Sequence, residues 1–298
     1  QINTKNLQLL PIIILIGTAL TAAMGLYPIY NFFYLGGNDS INLFWKSQGY
    51  GAAIYDGIFK YNLWNIPTLI YGVGFLSSYI LIKNKAFKNS TSMVIYIIFF
   101  IVVVVSVLSG RKAMWLTMLY SPLLSFILLW LSKVKVNIKV AFLYFLIYGL
   151  GFYLFLNYSS ILNEVTIIDI ARKTQFIFLF DGWTKNPFFG LGSGATVELS
   201  RNSDQPWSYE LYYLALLVQF GILGVFIYLI SIIVLIYLAI KIVRKNDNLS
   251  TVLIPMVSGM ICYLIASGTN PYLGKFDSLY VIFILVYSVN AFLLKRHK

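Results

Sequence analysis

The chain has 298 residues, of which 59% are hydrophobic, 17% aromatic and only 11% charged. Its mean hydropathy is +0.80, whereas soluble domains carry about a quarter charged residues, which excludes an ordinary soluble protein and points to a polytopic helical membrane protein. The formal net charge of +12 raises nucleic acid as a partner, but its basic residues gather between apolar runs, which argues for no nucleic-acid footprint.

Apolar runs of about 17–25 residues cross a bilayer as helices. They predict eight spans, roughly 8–30, 62–82, 92–109, 113–131, 140–157, 209–240, 251–267 and 277–294. The expected fold class is therefore all-α, a transmembrane helical bundle forming a single polytopic membrane domain over 1–298. Gln1 stands where a methionine would start a chain, which leaves room for further helices upstream. Pro11 to Tyr30 is long enough to span, and no small-residue cleavage pattern follows it, so it does not read as a signal peptide. The segment 31–61 is rich in aromatics, among them Phe44, Trp45, Tyr50 and Tyr55. Such residues suit the membrane–water boundary, and they also stack on sugar rings. Cys262 is the one cysteine; inside an apolar run it reads as a small core residue.

Basic residues fall between alternate spans: Lys83, Lys85 and Lys88; Lys133, Lys135 and Lys139; Lys241, Arg244 and Lys245; then Lys295, Arg296 and Lys298. Positive residues in short loops mark the cytoplasmic side, and Lys5 puts the N-terminus there with the C-terminus. The segments 31–61, 158–208 and 268–276, and the turn at Gly110-Arg111-Lys112, then face outward. Residues 158–208 form the large extracytoplasmic loop of this reading. No internal repeat supports an inverted-repeat transporter.

Chemistry is sought where polar backbone interrupts the apolar pattern, because a bilayer tolerates it only where it serves water or a substrate. Asp181 to Gly194, DGWTKNPFFGLGSG, is such a stretch, followed by Trp207-Ser208-Tyr209-Glu210 at the mouth of the long late helix. From Glu210 to Lys241 a helix would rise ~46 Å at 1.5 Å per residue, against a hydrocarbon core of ~30 Å. It must tilt or protrude, with Glu210 at or beyond the outer boundary. There it reads either as a general base, its pKa raised by partial burial, or as a helix-start acid favoured by the macrodipole. Arg111, Arg172 and Arg201 lie on the same side. Guanidinium suits the paired oxygens of a diphosphate, and it also simply snorkels at helix ends. Gly190-Leu191-Gly192-Ser193-Gly194 lacks the GxGxxG spacing of a dinucleotide site and suggests a tight turn whose amides could help hold phosphate.

Asn186-Pro187-Phe188-Phe189-Gly190-Leu191-Gly192 resembles the NPxxGxG element of the O-antigen ligase and Wzy-type polymerase superfamily. Arg172 upstream, the Ser109-Gly110-Arg111 turn and the later Gly221-Ile222-Leu223-Gly224 follow that family's order, over about Ser109 to Gly224. The resemblance implies a GT-C-like fold in the bacterial cytoplasmic membrane, with an extracytoplasmic active site. It implies a glycosyltransferase acting on undecaprenyl-pyrophosphate-linked oligosaccharides without a nucleotide donor, metal or other cofactor, in lipopolysaccharide, capsule or exopolysaccharide biosynthesis. Its partners would be those lipid-linked glycans, the bilayer, and a chain-length regulator and flippase of the same pathway. Arg111 and Arg172 would hold and stabilise the diphosphate; Trp183, Asn186, Gly190, Gly192, Arg201, Trp207 and Tyr209 would line the substrate site. Ligases of the family use a histidine near the start of the late helix, but the one histidine here is His297, in the tail. Glu210 stands in that neighbourhood as the candidate base, with Asp204 next, which favours a polymerase of repeat units. The alternatives are ligase-type transfer to another acceptor, a lipid-linked oligosaccharide flippase, and a structural or regulatory membrane protein without chemistry.

Overall fold

Helices form over the apolar runs. In a computed structural model describing residues 7–34, 43–44, 47, 51–55, 58–62, 65, 67–82, 89–109, 111–136, 138–157, 170–199, 205–274 and 278–296, they run in order as follows. α1 covers Leu10–Tyr34, α2 Pro67–Leu81, α3 Asn89–Leu108, α4 Lys112–Ser132 and α5 Ile138–Asn157. α6 covers Ile170–Lys185, α7 Tyr212–Lys245, α8 Ser250–Ser267 and α9 Tyr280–Arg296. Four of them, α1, α4, α7 and α8, are long and apolar enough to cross a membrane. Shorter apolar helices, Pro67–Leu81, Met93–Leu108, Val140–Gly151 and Tyr280–Leu294, occupy the other four expected segments.

α2 and α8 form the centre. Every residue of α2 from Leu69 to Leu81 is buried, as are most of α8, and a helix apolar all round belongs inside a bundle. Small residues let the two backbones close. A Cβ on Gly74 would lie 2.5 Å from Cys262 Sγ, and one on Gly259 would lie 2.8 Å from the Tyr71 carbonyl oxygen. That is the small-residue packing expected where hydrophobicity alone does not drive helices together. Cys262 is buried and free, as its apolar setting suggested. Hydroxyls tie the surrounding helices together: Ser121 and Tyr148 meet at 2.6 Å, Ser77 and Tyr148 at 3.0 Å, and Ser78 donates to Ser125 at 3.0 Å. The outer surface carries large apolar side chains, including Ile13, Leu20, Phe226, Ile227 and Ile233, a face suited to lipid.

The ends of the bundle differ. α4 begins beside Arg111 and closes at Lys133, whose left-handed backbone (φ 58°) caps it, so those residues stand ~32 Å apart along the axis. Arg244, at the C-terminal end of α7, donates from Nε to the Leu131 carbonyl at 2.7 Å. Lys133 and Arg244 therefore share one end of the bundle, and Arg111 lies at the other.

The all-α class holds for the bundle, with one small antiparallel hairpin beside it, β1 (Gly51–Tyr55) paired with β2 (Ile58–Asn62). Two sequence expectations change. The loop 158–208 contains a helix, α6, with 158–169 and 200–204 outside the described residues. The late helix neither begins at 209 nor runs unbroken: it starts at Tyr212 and breaks at Gly221 (φ 62°, ψ −174°). The break answers the length problem. From Ile222 to Lys241 is ~30 Å of helix, one hydrocarbon thickness.

Candidate functional site

The glycine-rich segment and the broken helix are one structure. In an unbroken helix the Ile222 and Leu223 amides would donate to Val218 and Gln219, four residues back. Instead they donate to Pro187 O (2.9 Å) and Phe188 O (3.2 Å). The vacated carbonyls of Val218 and Gln219 accept from the amides of Leu191 (2.7 Å) and Gly192 (3.0 Å). Residues 187–192 are thus spliced into the gap, satisfying four backbone groups that a break would otherwise orphan. Gly190 (φ 73°) and Gly221 (φ 62°) both adopt the left-handed region, which favours glycine. The Gly190 amide donates to Asn186 O at 2.9 Å. The run thus makes the tight turn its glycines suggested, and the amides at 190, 191 and 192 are all engaged within the chain rather than open to a phosphate.

A small separate core holds this splice in place. Leu179 of α6, Tyr209, Ala215 and Val218 are buried together, with Trp183 and Val197 packed on them. Trp183 Nε1 donates to Pro187 O at 3.2 Å, and Tyr209 Oη accepts from the Val197 amide at 2.9 Å. Tyr209 is 1% exposed. Trp183 and Tyr209, expected to touch substrate, are placed as supports of the loop, because each ring fills the gap between α6 and the outer part of α7. Asn186 is exposed, and its backbone starts the turn.

The charged residues converge above this scaffold. Arg172, on the first turn of α6, donates from Nε to Glu210 Oε2 at 2.7 Å, and the two side chains are 27% and 13% exposed. Gln175, one turn on, accepts from the Glu210 amide with Oε1 at 3.0 Å. α6 therefore grips residue 210 by both side chain and backbone. Glu210 precedes the helix: the N-cap of α7 is Leu211, and no acid lies in the first turn. The helix-start reading gives way to a half-buried carboxylate held by arginine. Arg111 is the N-cap of α4, its amide donating to Ser109 Oγ at 3.3 Å and its carbonyl accepting from Met114 at 2.9 Å.

Tyr272 joins these charges, and the sequence reading did not single it out. It lies in a single 3-10 turn, Tyr272–Gly274, in the connection between α8 and α9. Burial pushes its hydroxyl pKa up; the charges of Arg111 and Arg172 pull it back, and Glu210 adds to the rise. One tyrosine thus senses all three charged groups. No sequence signal marks it beyond its place in an outer segment, since the connection is far from 111, 172 and 210 in the chain.

Beside the cluster opens a cavity of about 220 Å³, lined by Gln205, Trp207, Ser208, Tyr212, Gln219 and Phe220 among others, and by Pro271 and Gly274. Trp207 is half exposed here, and rings mixed with amides suit a sugar. Arg201, Asp204 and His297 lie outside the described residues. Comparison of the chain with protein-family models, with curated proteins and with solved structures returns no match.

Proposed function

We propose that this chain is a polysaccharide polymerase of the cytoplasmic membrane, joining undecaprenyl-pyrophosphate-linked oligosaccharide repeat units at the outer face. The observation that carries the reading is the convergence of Arg111, Arg172 and Glu210 at the end of the bundle opposite Lys133 and Arg244. In this reading all eight apolar helices span, the fold is GT-C-like, and the basic end faces the cytoplasm.

The arginines bind the donor diphosphate and stabilise its charge as it leaves. Arg172, paired with Glu210 at rest, turns to the incoming diphosphate and leaves the carboxylate to act as base. Glu210 then takes the proton of the acceptor hydroxyl. The hydroxyl oxygen bonds to the anomeric carbon, and the carbon–oxygen bond to phosphate breaks with its electron pair on undecaprenyl pyrophosphate. The cavity walled by Trp207, Tyr212 and Phe220 takes the terminal sugar of the acceptor unit.

Lipid-linked glycans from cells lacking the chain test this directly. A polymerase defect leaves single repeats on undecaprenyl pyrophosphate in the outer leaflet. Long polymer still on the lipid would assign a ligase, and single repeats trapped in the inner leaflet a flippase. An unchanged glycan profile would end the reading.

A further inference from the structure

We infer that Tyr272 contacts substrate in this site, its hydroxyl donating to a diphosphate oxygen held between Arg111 and Arg172. The inference rests on the diphosphate reading of those two arginines.

Three observations carry it. First, the side chain is fixed. Tyr272 is 5% exposed, its amide donates to Asn270 O at 2.8 Å, and its ring lies tilted on Tyr263 at 5.9 Å. Tyr263 is itself anchored by a hydrogen bond to Ser278 at 2.7 Å. Second, among the described residues the buried hydroxyl finds no acceptor, Arg111 being a donor to it. Buried hydroxyls almost always have a partner, and an orphan calls for an explanation. Third, its neighbourhood holds two cations and one carboxylate, Glu210, which is already paired with Arg172. Arg111 acts on it both as a charge and as a loosely placed donor, and Arg172 acts on it as a charge.

Arginine has five donors and no acceptor. Whatever Arg111 gives the phenol oxygen, the phenol hydrogen still has no acceptor among the described residues. What fits between two guanidiniums and a phenol hydrogen is an anionic oxygen, which accepts from all three. Burial supports this role by keeping the phenol neutral and so able to donate. The donor is preorganised, because the buried ring is packed against Tyr263, and such donors matter most where negative charge grows as a bond breaks.

The test uses the full chain in detergent with inorganic pyrophosphate as probe, read by calorimetry and by thermal unfolding. Tyr272→Phe removes only the hydroxyl. The expected result is at least tenfold weaker pyrophosphate binding, the scale of a hydrogen bond to a charged group, with a Tm equal to or above wild type because an unsatisfied buried polar atom is gone. Para-aminophenylalanine at position 272 keeps a donor of similar shape and should restore most of the binding. It also decides the matter should the phenylalanine variant fail to fold. Wild-type affinity in Tyr272→Phe, or no recovery with the amino analogue, overturns the role of Tyr272. Arg172→Lys separates the two levels of the argument. If it weakens binding while Tyr272→Phe does not, the diphosphate reading stands and Tyr272 falls. If wild-type protein does not bind pyrophosphate, both fall.

Discussion

Gly190 and Gly221 meet backbone to backbone, and each requires the other to lack a side chain. A Cβ on either would come within 2.6 Å of the other's amide nitrogen, and a Cβ on Gly221 would also sit 2.2 Å from the Phe188 carbonyl oxygen. This contact is what turns a polar outer segment into part of a helix. It sets the height of Tyr209 and Glu210, and through Glu210 it sets Arg172.

Gly221→Ala and Gly190→Ala should both open the splice. Each combines left-handed strain of ~1–2 kcal/mol with a collision against backbone that cannot yield, and it threatens four loop–helix hydrogen bonds at ~1 kcal/mol apiece. A loss of about 3 kcal/mol or more is expected, read as a lower Tm in detergent and faster tryptic cleavage after exposed Lys185. Gly192→Ala is the control. Its φ is 101°, but a Cβ there meets nothing within 4 Å, so only the strain remains. Equal Tm values for all three variants would show that the splice contributes little.

Sidedness can be read by labelling. Cys262 is the one cysteine and is buried, so no native thiol competes. Ser193→Cys, in the exposed turn after the splice, should react with an impermeant thiol reagent added to intact cells. Asn248→Cys, at the Arg244 end, should not. The reverse pattern would put Arg111, Arg172 and Glu210 in the cytoplasm, away from any outer-leaflet substrate.

Arg172→Lys keeps the charge and loses the planar fork. Lysine still places a cation opposite Glu210, so the cost in stability should be small, ~1 kcal/mol for the Nε hydrogen bond lost. Polymer yield should fall roughly ten- to hundredfold, since each charge-assisted contact to phosphate is worth ~1.5–3 kcal/mol; Arg111→Lys should behave alike. Wild-type yield at equal expression would make both residues interface anchors.

Glu210→Gln keeps the shape of the side chain and removes the proton acceptor. General-base loss costs ~10²–10⁴ in rate, so surface glycan should collapse to single repeats, with lipid-linked single repeats accumulating outside. Gln175→Ala provides the contrast, because it only leaves the Glu210 amide without its acceptor. It should lower Tm, by ~1–3 kcal/mol of stability, and spare most of the rate. Normal chain lengths in Glu210→Gln would leave the residue as Arg172's structural partner alone.

The helical class and the placing of the apolar helices follow from sequence alone, because burial of a continuous apolar run is a local property of the chain. The polar residues worth examining were legible for a related reason: in so apolar a sequence, Arg111, Arg172 and Glu210 stand out by type. Their meeting was not legible. It depends on α6, folded within what read as loop, reaching residue 210 with Arg172 and Gln175. That the NPFFGLG turn is built into the late helix was not legible for the same cause. Glycines that need positive φ look alike whether their amides face a ligand or a carbonyl on another helix, and only the returning strand of backbone distinguishes them. Gly221 stands in the sequence only as part of the Gly221-Ile222-Leu223-Gly224 element; that it breaks the helix shows only in the bonds of residues 218, 219, 222 and 223 to 187–192. Tyr272 gave no sign at all, since its significance lies in which charges surround its hydroxyl. Local pattern determined the helices and their composition; the site arose from backbone and charge pairings between residues distant in the chain, which only tertiary packing could decide.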